Sequence, residues 1–407
     1  MKLKQILITI LISVNIDSFA LEPGWIANIG NDASPGAVNE HAAKTSYQII
    51  MDAGSSGTRI YVYKQKRNTI KDLPQFQELL NHRTATPLAK QTVSGAQKLV
   101  SDLLTLAKTE LIKHKQTNTN NIRVNLLATA GMRKLAKDKQ EEIYDGVRKT
   151  IKAESFTVGE VRTLDGYQEG IYTWAALNYL SDTFKANTAL GSIEVGGASL
   201  QIVYPSTTLP KNTSDYKMVT LVNNQQYSVF SRTWLGLGDN DALASMNKSI
   251  NRQYCYPNQY IESTMDGAFD LLKCKTLFQE VIATQLNMVD PKGITFNGVS
   301  SPAIMLNEWG IPTQAKQLNA TVDKYCSESI GAVRLKIPKK AKETPLQYIA
   351  NTGQICAKSS YIIKLLDILG QNTESSAYQA RKTIKGTEVN WSLGYYILQE
   401  SGIKNYP

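Results

Sequence analysis

The feature that most constrains the fold is a short device that the chain carries twice. From Ile49 to Tyr63 an apolar run reaches a carboxylate at Asp52 and crosses the turn Gly54-Ser55-Ser56-Gly57. It leaves as a second apolar run through Thr58, Arg59 and Ile60. From Leu190 to Tyr204 the same order returns, with Glu194, then Gly196-Gly197-Ala198-Ser199, then Gln201 and Ile202. Setting Asp52 on Glu194 aligns Gly54 with Gly196, Ser55-Ser56 with Gly197-Ala198, and Ile60 with Ile202. The β-branched and aromatic residues of both arms predict strand, turn, strand in each copy. The acids lie 142 residues apart, too far for a solenoid period, so a duplicated lobe is expected. Small residues admit a ligand close to the backbone, and consecutive N–H groups in such a turn form an anion-binding nest. One turn alone describes an ordinary hairpin equally well. Two that face each other across a cleft can hold a phosphate chain and a divalent cation.

The rest of the pattern fits an α/β chain. Phe76 to Arg83 reads as a further strand, and Ser94 as the cap of an amphipathic helix through Ile112. Val124 to Ala128 and Val158 to Leu164 read as strands. Asp165-Gly166 opens a helix carrying Glu169 and Trp174, and helical stretches are expected around 266–288 and 345–369. An apolar helix from Asn390 to Leu398 is expected to pack back on the first lobe. The resulting division is 46–164 with 385–407 as the first lobe and 165–384 as the second.

The N-terminus reads as an export signal. Met1-Lys2-Leu3-Lys4 is basic, Ile6 to Val14 is apolar, and Ser18-Phe19-Ala20 has the small-x-small form of a cleavage site. The apolar stretch is short for a membrane anchor and is broken by Asn15 and Asp17, so no transmembrane anchor is expected. A signal peptide over 1–20, a flexible Gly/Asn/Ala-rich leader over 21–45 and a secreted or periplasmic monomer follow. Cys255, Cys274, Cys326 and Cys356 all lie in the second half. In an oxidising compartment the sequential pairing, Cys255–Cys274 and Cys326–Cys356, is the simplest of the three connectivities. Asn212, Asn247 and Asn319 stand in glycosylation-type sequons, relevant only to a eukaryotic secretory route.

Charge and motifs exclude several classes. The formal charge of +10 fits a polyanionic substrate, but the lysines are dispersed, and their one cluster, Lys336 to Lys342, is broken by Pro338. There is no interleaved basic and aromatic groove and no zinc-finger spacing, so a nucleic-acid partner is not expected. The chain has no G-x-x-x-x-G-K-[ST] loop and no G-x-S-x-G elbow, and its three histidines suggest no triad. Acids and hydroxyls beside Gly-rich turns remain, which suits metal-assisted attack of water on a phosphoryl group.

Five segments in order carry a resemblance. Asp52 to Arg59, Ala128-Thr129-Ala130-Gly131-Met132-Arg133, Glu169 in a G-x-x-E-G-x-x-x-W setting, Gly196-Gly197-Ala198-Ser199-x-Gln201, and Trp391 to Tyr395 resemble the apyrases, the nucleoside triphosphate diphosphohydrolases. The likeness spans 49 to 397. It implies a duplicated RNase H-like fold of the actin/hexokinase type, with two lobes and an interlobe active-site cleft. It also implies stepwise hydrolysis of nucleoside tri- and diphosphates to the monophosphate, with Ca²⁺ or Mg²⁺.

Carried over residue by residue, the resemblance makes Glu169 the base that deprotonates the attacking water, with Ser199 and Gln201 orienting it. Asp52 and Glu194 hold the hydrated cation through water. Gly54, Ser55, Ser56, Gly57 and Thr58 bind phosphate, as do Gly196, Gly197 and Ala198. Thr129, Arg59 and Arg133 add donors near the transferring group. Tyr361, in a Cys-x-x-x-Ser-x-aromatic pattern after Cys356, is the candidate for the base, with a core tyrosine as the alternative. Trp391 reads as a core anchor between lobes. The chain departs from the family pattern at Glu194, where aspartate is usual, at Thr86-Pro87-Leu88 in place of Lys-Pro-Gly, and at the irregular run Ser231 to Trp234. An exopolyphosphatase or kinase of the same superfamily, and a secreted nucleotide-binding protein without activity, remain as rival readings.

Overall fold

A computed structural model of the chain describes residues 44–69, 72–206, 214–286, 293–311, 317–337, 339, 344–372, 376–399 and 402–405. The signal peptide, nearly all of the leader and the Asn212 sequon lie outside these residues. Residues 44 and 45, expected in the leader, already belong to the first strand.

The first half builds β1 (Lys44–Gly54), β2 (Gly57–Arg67), β3 (Gln75–Thr84), α1 (Val93–Lys113), β4 (Arg123–Ala128), α2 (Ala130–Arg133), α3 (Lys137–Ala153) and β5 (Thr157–Thr163). The strands form one sheet in the order β3-β2-β1-β4-β5. β2 pairs antiparallel with both β1 and β3, while β4 and β5 run parallel to β1. Alternate residues of β1 serve different cores, as the strand period requires. Ile49 and Met51 pack with α1 and α3, whereas Ile50 faces the middle of the molecule. α1 is capped by Thr92, which accepts from the Gly95 N–H at 3.1 Å, two residues earlier than the expected Ser94.

α4 (Gly166–Leu180) and the short α5 (Thr183–Ala186) lead to the second lobe. That lobe contains β6 (Gly191–Val195), β7 (Ser199–Pro205), β8 (Tyr216–Thr220), β9 (Gln226–Leu235), α6 (Asp239–Met246), β10 (Ile261–Glu262), β11 (Met265–Asp266) and α7 (Leu271–Ala283). It continues with β12 (Phe296–Ser300), α8 (Ser301–Glu308), α9 (Leu318–Cys326), α10 (Ile330–Lys336), α11 (Pro345–Ile368), β13 (Gln379–Ala380), β14 (Thr383–Ile384) and β15 (Thr387–Glu388). α12 (Trp391–Leu398) and β16 (Gly402–Asn405) end the chain. The second sheet has the order β13-β12-β6-β7-β9-β8-β16. Its five strands β9-β7-β6-β12-β13 match β3-β2-β1-β4-β5 in order and in direction. The duplicated device is thus the centre of a duplicated sheet.

α4 and α12 fill the layer between the sheets. α4 is apolar almost all round, as a helix enclosed on both faces must be. The two helices touch at Gly394, where a Cβ would lie 1.7 Å from the Tyr172 carbonyl oxygen. α12 also reaches the first sheet, with the Tyr396 hydroxyl donating to the Ile49 carbonyl at 2.7 Å. The tail does not end there: β16 pairs antiparallel with β8, at the edge of the second sheet. The expected return of 385–407 to the first lobe therefore fails for 402–405. The edge of β8 offers unpaired backbone groups, and the terminal strand covers them.

On its outer face the second sheet carries α6, α7 and α9–α11, and both disulfides lie there as Cys255–Cys274 and Cys326–Cys356. Disulfides of this kind point to a compartment outside the cytoplasm. Among the described residues no helix is long and apolar enough to cross a membrane.

Candidate active site

The β1–β2 and β6–β7 turns meet at the mouth of a cavity of about 450 Å³. Gly54, Ser55 and Ser56 line it from the first turn, and Gly196, Gly197, Ala198 and Ser199 from the second. They stand close: a Cβ on Gly197 would lie 2.8 Å from the Ser55 hydroxyl. The second turn is braced by the start of α6, whose Asp239 and Asn240 N–H groups donate to the carbonyls of Gly196 and Gly197 at 2.9 and 3.0 Å. Gly238 permits that contact, since a Cβ there would be 2.2 Å from the Ala198 nitrogen.

Asp52 from β1, Glu169 from α4 and Glu194 from β6 are buried and face this space, as does Asp239 at the start of α6, which is paired with Lys358 at 3.3 Å. Asp52 binds the Arg59 guanidinium through Oδ2 at 2.9 Å, and its Oδ1 is buried without a protein partner. Glu169 pairs through Oε2 with Arg133 and accepts from Gln201 Nε2 at 3.2 Å. Glu194 accepts from the Thr173 hydroxyl at Oε2 and from the Ser300 hydroxyl at Oε1, the latter at 3.2 Å. Burial pushes Asp52, Glu169 and Glu194 up from the usual carboxylate range. Arg59 opposes the rise at Asp52 and Arg133 opposes it at Glu169, while the charge of Glu169 adds to it at Glu194.

Such a cluster suits a hydrated divalent cation. Its donors are hard carboxylate oxygens, and the orphaned Asp52 Oδ1 lacks a partner that an ion or its water would supply. Among the described residues no three His, Cys, Asp or Glu side chains converge to ligate a metal directly. A cation held here would keep much of its water.

Arg59 and Thr129, expected near the transferring group, also line the cavity. Five expected site residues do not, and one of them, Arg133, is taken up in its pair with Glu169. Gly57 (φ +155°) sets the turn, and a Cβ on it would lie 2.2 Å from the Thr84 carbonyl oxygen. The Thr58 hydroxyl is spent on the Thr86 carbonyl at 2.8 Å, so its side chain braces the 84–88 loop and offers phosphate nothing. Gln201 lies one layer back, donating through Nε2 to Ser199 Oγ at 2.8 Å and Thr233 Oγ1 at 3.2 Å, with its own Oε1 buried and unpartnered. Tyr361 is a core residue and not a wall of the site. It is 1% exposed, its ring packs on Phe278, and its hydroxyl donates to the Leu237 carbonyl. Trp391 is buried in the middle layer and lines the cavity with one face.

Sequence reading missed several site residues, Arg83, Thr173 and Ser300 among them. Arg83 lines the cavity and stands opposite Arg59 in the β2–β3 register, which the expected third strand would have revealed had its register been known. Thr173 follows Glu169 by four residues on α4, a spacing that puts both on one helix face. Ser300, at the β12–α8 junction, has no local signal.

Comparison with known proteins agrees with this geometry. The model of the GDA1/CD39 (nucleoside phosphatase) family matches residues 38–406. The nucleoside-triphosphatase ntp-1 of Caenorhabditis elegans is 25% identical over 418 residues, covering 90% of this chain and 76% of the relative. A nucleoside triphosphate hydrolase structure from Neospora caninum superposes with a TM-score of 0.64 at 15% identity, covering 88% of this chain and 93% of that one. The Aquifex aeolicus member of the Ppx/GppA protein family gives 0.54 at 15% identity, covering 88% and 99%. These two likenesses establish the two-lobe α/β fold that the duplicated device led us to expect. The family match spans both turns, the buried acids and the closing helix, and the chain belongs to the GDA1/CD39 (nucleoside phosphatase) family, enzymes that hydrolyse nucleoside phosphates.

Proposed function

We propose that the cleft hydrolyses nucleoside tri- and diphosphates to the monophosphate by attack of water that Glu169 activates. The observation that carries this reading is the buried Glu169 carboxylate facing both turns, with Ser199 on the same wall. Backbone N–H groups and hydroxyls of the two turns hold the terminal phosphate between the lobes. Ser199 accepts from Gln201, which leaves its hydroxyl proton free to be donated into the cleft. Gln201 thereby fixes Ser199 and Glu169 in one frame. Water attacks phosphorus as the bond to the bridging oxygen breaks, Glu169 takes the water proton, and the shorter nucleotide leaves. Burial makes Glu169 a stronger base than an exposed carboxylate, and the Arg133 pair opposes part of that rise. Ca²⁺ or Mg²⁺, held through water by Asp52 and Glu194, supplies charge neutralisation to the phosphates when bound. With Tyr361 removed from consideration, the nucleoside lies at the second-lobe end of the cavity, against Ile304, Met305, Ile337 and Ile355. Export through the N-terminal signal places this chemistry outside the cytoplasm, in keeping with the disulfides.

The test is phosphate release from ATP, ADP and polyphosphate with Ca²⁺ or Mg²⁺. We expect release from both nucleotides and a loss of roughly 10²–10⁴-fold in Glu169→Gln. Full activity in that variant would remove Glu169 from the mechanism. Cleavage of polyphosphate alone would favour the exopolyphosphatase reading.

A further inference from the structure

Glu194 differs from its counterpart Asp52 in how it is held. Asp52 is fixed by a guanidinium on the neighbouring strand. Glu194 has one more methylene and, among the described residues, no cation beside it; its register partner on β7 is Gln201, whose amide is turned to Ser199 and Glu169. A longer, buried arm without a salt bridge needs other restraints to hold one rotamer. Two hydroxyls supply them, one on each carboxylate oxygen. Thr173 is fully buried and donates to Oε2, and Ser300 donates to Oε1 at 3.2 Å.

Both donors are unusual for their positions. Thr173 sits one turn after Glu169 on α4, so the residue that grips Glu194 shares a rigid helix face with the proposed base. Ser300 has φ 63° and ψ −119°, a backbone conformation that favours glycine and strains any other residue. Strain at a side chain aimed into a cleft is a sign that the side chain is needed there.

We infer that Thr173 and Ser300 are positioning residues that clamp the Glu194 carboxylate in place for the hydrated cation, with Thr173 tying that place to Glu169 through one turn of α4. The inference rests on the reading that Glu194 holds the cation. Both hydroxyls are committed to the Glu194 carboxylate. Their loss should therefore weaken the cation's effect on nucleotide binding and leave cation-free binding alone.

The experiment titrates the β,γ-imido analogue of ATP into the full-length protein by calorimetry, once in EDTA and once with saturating Mg²⁺ or Ca²⁺. The gain in affinity due to the cation is the quantity read. In Thr173→Val, which keeps the side-chain shape, we expect that gain to fall about tenfold with EDTA binding unchanged, and Thr173→Ser to restore it to within about twofold. Ser300→Ala and Ser300→Gly should each reduce the gain about threefold, with the glycine variant melting higher than the alanine because the strain is released. Glu194→Gln is the reference. If it leaves the gain intact, the cation reading itself is overturned. If it abolishes the gain while Thr173→Val keeps it, the clamp is overturned and the cation reading stands. A Thr173→Val protein that loses binding in EDTA as well would show a packing role and overturn the inference too.

Discussion

Two rows of side chains cross the two sheets at equivalent places, and they carry opposite electrostatics. In the first lobe the row reads Asp52, Arg59, Arg83 across β1, β2 and β3. In the second it reads Glu194, Gln201, Thr233 across β6, β7 and β9. Backbone order, strand direction and turn are the same. In the first row a carboxylate stands beside two guanidiniums, one of them bound to it and the other to Ser56. In the second a carboxylate stands beside two neutral groups, Gln201, which donates to the buried Glu169, and Thr233, which accepts from Gln201. On the proposed reading the first row would offer positive charge to phosphate, the second would offer acceptors to water and its proton, and the two acids would share the cation. The two lobes share the frame and differ at the second and third positions of the row.

The sharpest way to break this contrast is to make one row resemble the other. Arg59→Gln leaves Asp52 buried without its cation, and we expect a stability loss of roughly 3 kcal/mol in urea unfolding together with a loss of at least about 100-fold in kcat/KM. Gln201→Leu removes a neutral donor and strands two hydroxyls, so a smaller stability loss of about 1–2 kcal/mol is expected, with the activity loss falling on kcat. Equal stability losses in the two variants would contradict the electrostatic division.

The lobes also differ in covalent restraint, since both disulfides belong to the second. Opening the Cys326–Cys356 loop, with its sequence separation of 30, should cost roughly 3.6 kcal/mol by the chain-entropy estimate. Hydrogen exchange under reductant should quicken in α9 and α11 and stay unchanged in β1 and β4. Unaltered thermal unfolding under reductant would remove the disulfides from the stability of that lobe.

A smaller effect tests how the second turn is held. Gly238→Ala forces a Cβ against the backbone of Ala198 and should destabilise by about 1–3 kcal/mol with some loss of activity. Gly196→Ala meets nothing nearer than 3.6 Å and should be almost neutral for stability. If both behave alike, the second turn is not held from behind by α6 as described.

The smallest effect concerns Glu78 on β3, which burial and the nearby Glu388 push up to about 7 against the pull of its Asn81 hydrogen bond. A carboxyl whose pKa is raised on folding binds its proton more tightly in the native state. Its contribution is fully present below about 4.5 and is lost as pH rises through about 7. Glu78→Gln should therefore melt slightly above wild type at pH 8, with the gap closing by pH 5. A gap independent of pH would mean that Glu78 keeps its ordinary pKa.

Much of this was legible in the residues. Strand propensity and turn chemistry are set by near neighbours, so the two hairpins, their acids and the internal alignment follow from about fifteen residues each. The sequential cysteine pairing was the simplest choice and is the one found. Tyr361 was misplaced because a tyrosine on an apolar helix has the same local signature whether it faces a cleft or a core. The terminal strand was misplaced because a four-residue segment does not encode which sheet edge it will cover.

What the sequence by itself determined was the list of chemical groups and their local geometry: two acids before two small-residue turns, a helix-borne glutamate, and four cysteines outside the cytoplasmic pattern. Tertiary structure decided which groups meet. Arg133 reaches Glu169, Thr173 and Ser300 grip Glu194, and Gln201 stands behind Ser199 only because sheet register and the packing of α4 between the sheets bring them together. Ser300 lies 106 residues from Glu194, and no local periodicity reaches that far. Contacts across such distances depend on how layers close over a shared core, and that is settled by the whole chain at once.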